Sequence, residues 1–428
     1  MKKRLLTAVL TIAALVAAHA QSGVWSGKLD VNGAKLPLVF RLDGENPTVD
    51  SPAQGAKGIP VQAEWSGVVK LTVRIPAIGA TYEGVRAGER IVGTFTQLGA
   101  SFPLTLTQGE PQLNRPQTPQ PPFPYTQEEV AFANGNAVLK GTLVLPAGCD
   151  RNTPVLLMVT GSGLQNRDEE VFEHKPFAVI ADALARAGIA TLRYDDRGFG
   201  ESTGDAVNCT TEDLKNDALA GIRLLRERFG YVGVIGHSEG GTIAMMLAAE
   251  RQTDFIVSLA GMAVSGRETL LWQNRIAFAA YPQETVDTYC TLLAGAFDAA
   301  VNGSAMPSAE SADMPEALKQ NYNIACKQLQ MPYLRYFLSL DMRPLLGRIE
   351  CPVLALNGTK DMQVFHEANL EALRSGLPAN GRNRIEAVEG LNHLFQHCTT
   401  GALTEYRDIE ETFAPEVLQT IAGWIRSL

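Results

Sequence analysis

The sequence predicts an α/β fold with a mostly parallel sheet, preceded by a small all-β domain. Three observations carry this. Up to about residue 108, apolar and polar residues alternate with a period of two and no helical stretch intervenes. Between Glu110 and Pro124 stand six prolines, a run that favours extended polyproline geometry. Beyond it, short apolar runs alternate with stretches of helical spacing, the pattern of parallel strands covered on both faces.

The first twenty residues read as an export leader. Lys2, Lys3 and Arg4 form a positive start, Leu5 to Ala18 an apolar run too short to span a bilayer, and Ala18-His19-Ala20 a small-residue cleavage site. Cleavage leaves Gln21 first and moves the formal charge from −9 to −12. So acidic a chain disfavours nucleic acid as a partner. No later apolar run is long and uncharged enough for a membrane span, so no stable membrane insertion is expected after cleavage, and the expected location is the periplasm or outside the cell. All six cysteines follow the leader. In an exported chain an even count permits disulfides, and Cys290 and Cys326, which share one helical region, are the first candidates for a bridge.

Residues 21–108 form the β-rich domain. Leu36, Leu38, Phe40 and Leu42 point one way, as do Leu71, Val73 and Ile75 between Lys70, Thr72 and Arg74. Glycine-bearing turns between such runs suggest a small sandwich or barrel. Its aromatic trio Trp25, Trp65 and Tyr82 reads as core more readily than as a carbohydrate platform. Residues 109–124 are a semi-rigid linker.

In residues 125–428 a hairpin is expected first, with Val130 to Ala133 and Val138 to Leu145 joined at Asn134-Gly135-Asn136. Buried strands follow at Val155 to Val159, Ala190 to Tyr194, Val232 to Gly236, Phe255 to Leu259 and Val353 to Leu356, with a later one at Arg384 to Val388. Helices are expected over Pro176 to Ala187 and from Thr211 to Arg228, the latter with Glu212 and Asp213 in its first turn. Between Leu259 and Val353 lie roughly ninety residues, where a parallel crossover needs about a dozen. The excess, about 262–348, has helical spacing near Arg267 to Ala279, Gln283 to Ala300, Pro315 to Leu329 and Tyr333 to Leu346. It reads as a helical cap, because loops after strand ends form the mouth of such a sheet.

Chemistry concentrates at Gly236-His237-Ser238-Glu239-Gly240-Gly241, a G-x-S-x-G turn between a strand and a helix. Flanking glycines let backbone crowd backbone, so a serine is held strained with its hydroxyl exposed above the sheet. Ser238 is the candidate nucleophile. A serine hydroxyl needs a base, and the base an orienting acid. Of six histidines, His19 leaves with the leader, His237 adjoins the nucleophile and points elsewhere, and His174 and His366 lie at or in helices. His393 follows a strand in a loop and is the best base. Asp361 follows another strand in Asn357-Gly358-Thr359-Lys360-Asp361 and is the best acid; Asp341, the rival, lies in the cap. The order Ser, Asp, His is one of the known triad orders. For the developing oxyanion, the Glu239 N–H at a helix start is one donor. The second comes from Gly161-Ser162-Gly163-Leu164, with Ser162 favoured by position and Gly163 or Leu164 as alternatives. His393 and His397 stand four apart, but Leu394 replaces the glutamate of the zinc pattern, so no metal is called for, and no cofactor either.

These stretches, with Asp195-Asp196-Arg197-Gly198-Phe199-Gly200-Glu201-Ser202 and Gly390-Leu391-Asn392-His393-Leu394-Phe395-Gln396, carry a resemblance. From about Tyr125 to Leu428 the chain resembles the α/β-hydrolases of the serine-aminopeptidase-like branch. The whole chain after the leader is similar to exported bacterial carboxylesterases of the EstD type, which also carry a β-rich N-terminal domain. Leu164 departs from the pattern, which has proline there. The Asp196-Arg197 segment reads as a structural brace.

The expectation is a serine hydrolase that cleaves small-molecule carboxylic esters of short or medium acyl chain through an acyl-enzyme. A peptidase uses the same triad but needs an acidic clamp for an amino terminus, for which Glu310, Asp313 and Glu316 in the cap are available. An acyltransferase differs only in excluding water. A non-catalytic role for the β-domain is countered by the intact serine, acid and histidine.

Overall fold

The computed structural model describes residues 23–428, apart from 32–33, 45, 52–55, 68, 98 and 111–112. The expected leader, residues 1–20, lies outside the described residues. The chain divides into two compact units, residues 1–114 and 115–428.

The first unit holds β1 (Val24–Val31), β2 (Ala34–Arg41), β3 (Thr48–Ser51), β4 (Ala56–Pro60), β5 (Gln62–Ser66), β6 (Lys70–Ile75), β7 (Ala80–Ala87), β8 (Arg90–Gln97) and β9 (Ala100–Gln108). They form one antiparallel sheet in the order β4-β3-β2-β1-β9-β8-β7-β6-β5. Laid flat, eight spacings of about 4.8 Å would hold its edges roughly 38 Å apart. Yet Val61 alone joins β4 to β5 and spans about 7 Å at most. The sheet therefore curls until its edge strands meet at a corner, giving the barrel-like alternative of the two expected forms. Its alternating residues line the inside: Trp25, Phe40, Leu71, Val73, Tyr82 and Ile91 are almost wholly buried. Trp65 packs against the same cluster, so the aromatic trio is core.

The second unit opens with the hairpin β10 (Thr126–Asn134) and β11 (Ala137–Leu145), followed by β12 (Val155–Val159), helix α1 (Pro176–Arg186), β13 (Ala190–Tyr194), α2 (Thr211–Arg228), β14 (Val232–His237), α3 (Glu239–Ala249) and β15 (Phe255–Leu259). The sheet order is β10-β11-β13-β12-β14-β15-β16-β17, where β16 is Val353–Gly358 and β17 is Arg384–Val388. Pairs are parallel from β13 to β17 and antiparallel at β10–β11 and β11–β13. Strand alternation sorts the core: Leu156 and Met158 face α1 and the last helix, Pro415–Arg426, while Leu157 and Val159 face α2 and α3. The chain runs from β12 to β13 on one side, then returns to β14 on the other. The crevice at the carboxyl ends of β12 and β14 is where such sheets bind ligands.

Between β15 and β16 the insertion forms α4 (Gly266–Ala277), α5 (Gln283–Asn302), α6 (Glu316–Gln328), α7 (Pro332–Ser339) and α8 (Arg343–Leu346). It has a core of its own around Tyr289, Leu293, Phe297, Leu318 and Tyr322. The single helix expected over Tyr333 to Leu346 is in fact α7 and α8. Pro344 has no N–H for a bond to Leu340 and would clash with that carbonyl, so Leu340 turns extended and a new helix begins. The expected Cys290–Cys326 bridge is also corrected: all six cysteines are free thiols, and these two sit unbonded in or against the cap core. The proline-rich stretch is bound rather than loose over its second half. Arg115 donates to the carbonyls of Phe172, Arg407 and Ile409, and Gln117 to that of Phe413.

Candidate active site

Ser238 stands between β14 and α3 with φ 54° and ψ −118°, a strained backbone for a residue with a side chain. The turn is possible because its neighbours are glycines. A Cβ on Gly236 would run into the Gly240 carbonyl, and one on Gly240 into the Val159 carbonyl. The Ser238 N–H donates to Leu259 O at 2.8 Å, which ties the turn to β15.

Asp361 and His393 come from the loops after β16 and β17. His393 Nδ1 is 2.7 Å from Asp361 Oδ2, and both side chains are buried. Asp361 is fixed in turn: its Oδ2 accepts from Asn357 Nδ2 at 3.0 Å and its Oδ1 from the N–H groups of Gln363 and Val364 at 2.7 and 2.9 Å. An acceptor this well supplied takes the Nδ1 proton, which leaves the lone pair on His393 Nε2. The rival acid Asp341 pairs instead with Arg343 in the cap, 2.9 Å from its Nε.

The Gly161 loop crosses beside the nucleophile. A Cβ on Gly161 would lie 3.2 Å from Ser238 Cβ, and its N–H is given to Glu169 Oε1 at 2.8 Å. Ser162 follows, exposed and at the cavity wall. Asp196, after β13, braces this loop by accepting from Thr160 Oγ1 at 2.9 Å and from the Gln165 N–H at 2.8 Å. Burial pushes its carboxyl up to about 8, against the hydrogen bonds from Gln165 and Thr160. Arg197 makes a buried two-point pair with Asp217, with both N–O distances 2.6 Å. The segment is a brace, as its sequence suggests.

Ser162, Ser238 and His393 line one cavity of about 510 Å³. Its walls are mostly apolar: Leu270, Leu334 and Phe337 from the cap, Met262 after β15, and Val171 and Phe172 from the loop before α1. The cap therefore stands over the serine. The oxyanion donor candidate Glu239 sits at the start of α3, where N–H groups have no partner within the helix. Its side chain is buried and accepts from Thr211 Oγ1 and the Tyr333 hydroxyl, both at 2.6 Å. Burial raises its pKa, with hydrogen bonds from Thr211, Tyr333 and Ser162 working the other way.

Sequence reasoning missed four residues here. Glu169, Tyr333 and Tyr406 line the cavity but lie in no motif, and only the tertiary fold brings them in. His237 has both ring nitrogens engaged: it bridges Glu169 Oε1 and the His393 carbonyl, 2.9 Å from each. His397 stands apart from His393 on the surface, where it pairs with Glu411 and Glu416. Among the described residues no group of histidine, cysteine and acidic side chains has the spacing to hold a metal.

Residues 173–397, just over half of the chain, match the family described as serine aminopeptidase, S33. The chain belongs to that family. Its second unit has the α/β-hydrolase fold, with the all-β unit preceding it. Among curated proteins, this S33 chain is 27% identical to esterase EstD of Thermotoga maritima over 273 residues, which are 63% of this chain and 60% of EstD. Solved structures similar to it include ferulic-acid-bound Est1E of Butyrivibrio proteoclasticus (17% identity, 70% of this chain and 98% of that one, TM-score 0.43) and a proline iminopeptidase of Mycobacterium smegmatis (15%, 70% and 98%, 0.45).

Proposed function

We propose that the chain hydrolyses carboxylic esters of short or medium acyl chain through Ser238, His393 and Asp361. The observation that carries this is the buried His393–Asp361 pair, 2.7 Å apart, whose histidine lines the same mostly apolar cavity as the strained serine. Ser238 Oγ attacks the acyl carbon while its proton passes to His393 Nε2, and Asp361 stabilises the imidazolium. The oxyanion is met by the N–H groups of Glu239 and Ser162; loss of one such donor typically costs about 3 kcal/mol. Ser162 is favoured because it lines the cavity and because the Gly161 N–H is already taken. His393 then protonates the leaving alcohol, and water activated by the same imidazole releases the acid and restores Ser238.

An ester is favoured over a peptide with a free amino terminus by the charges in the walls. Glu169 is the one acidic side chain among the lining residues, and it is engaged by Gly161 and His237. Glu310, Asp313 and Glu316 are not among those residues. The similarity to EstD, an esterase, points the same way. Ser238→Ala is expected to abolish p-nitrophenyl ester turnover with the fold retained; residual turnover sinks the reading. A panel of acyl esters beside aminoacyl anilides separates esterase from peptidase, and acyl transfer to added alcohols tests the transferase. Export rests on residues 1–20 alone, and a mature protein that does not begin at Gln21 refutes it.

A further inference from the structure

Beneath the nucleophile runs a hydrogen-bonded line that the hydrolytic steps do not use. Glu169 Oε1 accepts from the Gly161 N–H at 2.8 Å and stands 2.9 Å from His237 Nδ1. His237 Nε2 stands 2.9 Å from the His393 carbonyl oxygen. Glu169, His237 and His393 are 3%, 6% and 4% exposed, so water does not compete for these bonds. The line thereby joins three separate pieces of chain: the loop with the second oxyanion donor, the turn with the nucleophile, and the loop with the base. Glu169 reaches its place with φ 53°, a backbone that a non-glycine residue adopts at a cost.

The protons follow from the acceptors. A carbonyl oxygen only accepts, so His237 Nε2 carries a proton. At the other end, Glu169 Oε1 already accepts from Gly161, and a bare carboxylate facing a bare Nδ1 would repel it. A proton therefore lies at Nδ1 or between the two atoms. The line is complete only when His237 and Glu169 together hold two protons, as an imidazolium–carboxylate pair does. Burial alone would lower the pKa of His237, but the charge and hydrogen bond of Glu169 and the His393 carbonyl outweigh it and raise it. The other ionisable groups facing this ring are His393, with ring centroids 4.6 Å apart, and Asp361 behind it.

We propose that Glu169 and His237 are positioning residues that hold the base loop and the oxyanion loop in register with Ser238. The proposal rests on the ester-hydrolase reading for its kinetic arm only. Misplacing a reacting group by about 1 Å can cost on the order of a hundredfold in rate. Substitution should therefore lower kcat rather than raise KM.

The test has two arms. In ¹⁵N-histidine spectra of the wild-type protein at pH 7, the His237 resonances, identified by their loss in His237→Gln, should show protons at both ring nitrogens. A ring whose Nε2 carries no proton cannot donate to the His393 carbonyl and overturns the proposal. In the kinetic arm, Glu169→Gln and His237→Asn should lose about ten- to a hundredfold in kcat with KM changed less than about threefold. His237→Gln, whose longer amide reaches toward the His393 carbonyl, should recover part of that loss. The double variant Glu169→Gln/His237→Asn should be no slower than the slower single, as expected for groups acting as one unit. Unchanged kcat in folded single variants, or losses that multiply, overturns the proposal. If the variants fail to fold, the wild-type spectrum still decides. If the wild-type protein lacks ester turnover, or Ser238→Ala keeps it, the hydrolase reading fails while the spectral arm stands.

Discussion

At Asp361 one carboxylate accepts four hydrogen bonds, from His393, Asn357 and two backbone N–H groups. Asp361→Asn keeps the shape but presents an amide to Nδ1, which favours the wrong tautomer of His393. Turnover of a p-nitrophenyl ester should fall by about 10³- to 10⁴-fold with the fold intact; a loss below tenfold would argue for a different acid. His174 tests pH dependence. It is buried between Thr412 Oγ1 and the Tyr406 carbonyl, and burial lowers its pKa to about 4. Between pH 6.5 and 4 the unfolded chain binds a proton at this residue that the native state does not. The contribution of neutral His174 is therefore complete above pH 6.5 and is lost as pH falls toward 4, by about 3 kcal/mol in all. Thermal unfolding of His174→Gln should depend less on pH in that window than the wild type does. Ser238, Asp361 and His393 are legible in the sequence because each follows a strand in a glycine-bearing turn. Glu169 and Tyr333 are not, since His237 and Glu239, which engage them, lie far along the chain and nothing in their local spacing differs from an ordinary loop or helix.

Helix α2 begins with a capping box. Thr210 Oγ1 accepts from the Asp213 N–H, and Asp213 Oδ2 from the Thr210 N–H. Thr210→Ala should cost about 1 kcal/mol in chemical denaturation and leave turnover unchanged; no loss would mean that packing alone holds this end. In α7, Tyr333 and Tyr336 donate to Glu239 and Glu212, so the helix is fastened to the starts of both α3 and α2. Elements with strong local signals, such as α2 over Thr211–Arg228 and the buried strands, are read from the sequence nearly to the residue. The break between α7 and α8 is not, although Pro344 is its visible cause. The curl of the β-domain is also hidden, because it depends on which strands become neighbours and not on any one strand's pattern.

At the scale of the molecule, the boundary at Asn114–Arg115 makes a specific expectation. Brief digestion with a protease of broad specificity should spare Arg115 to Tyr125, whose Arg115 and Gln117 are bonded into the second unit. First cuts within Arg115 to Tyr125 would contradict that anchoring. Denatured, unreduced protein should also titrate six thiols, as its free cysteines imply; four or fewer would restore the disulfide expectation.

The cap leaves the sheet after β15 and returns at β16, and those two strands are hydrogen-bonded neighbours. Its insertion therefore has entry and exit at one seam, and nothing in the strand order depends on how much chain lies between them. Closing a longer loop at such a seam costs only about 0.6 kcal/mol for each doubling of its length. Descendants of this chain can thus trade one cap for another, and with it the walls above Ser238, while the serine, acid and histidine beneath stay where they are.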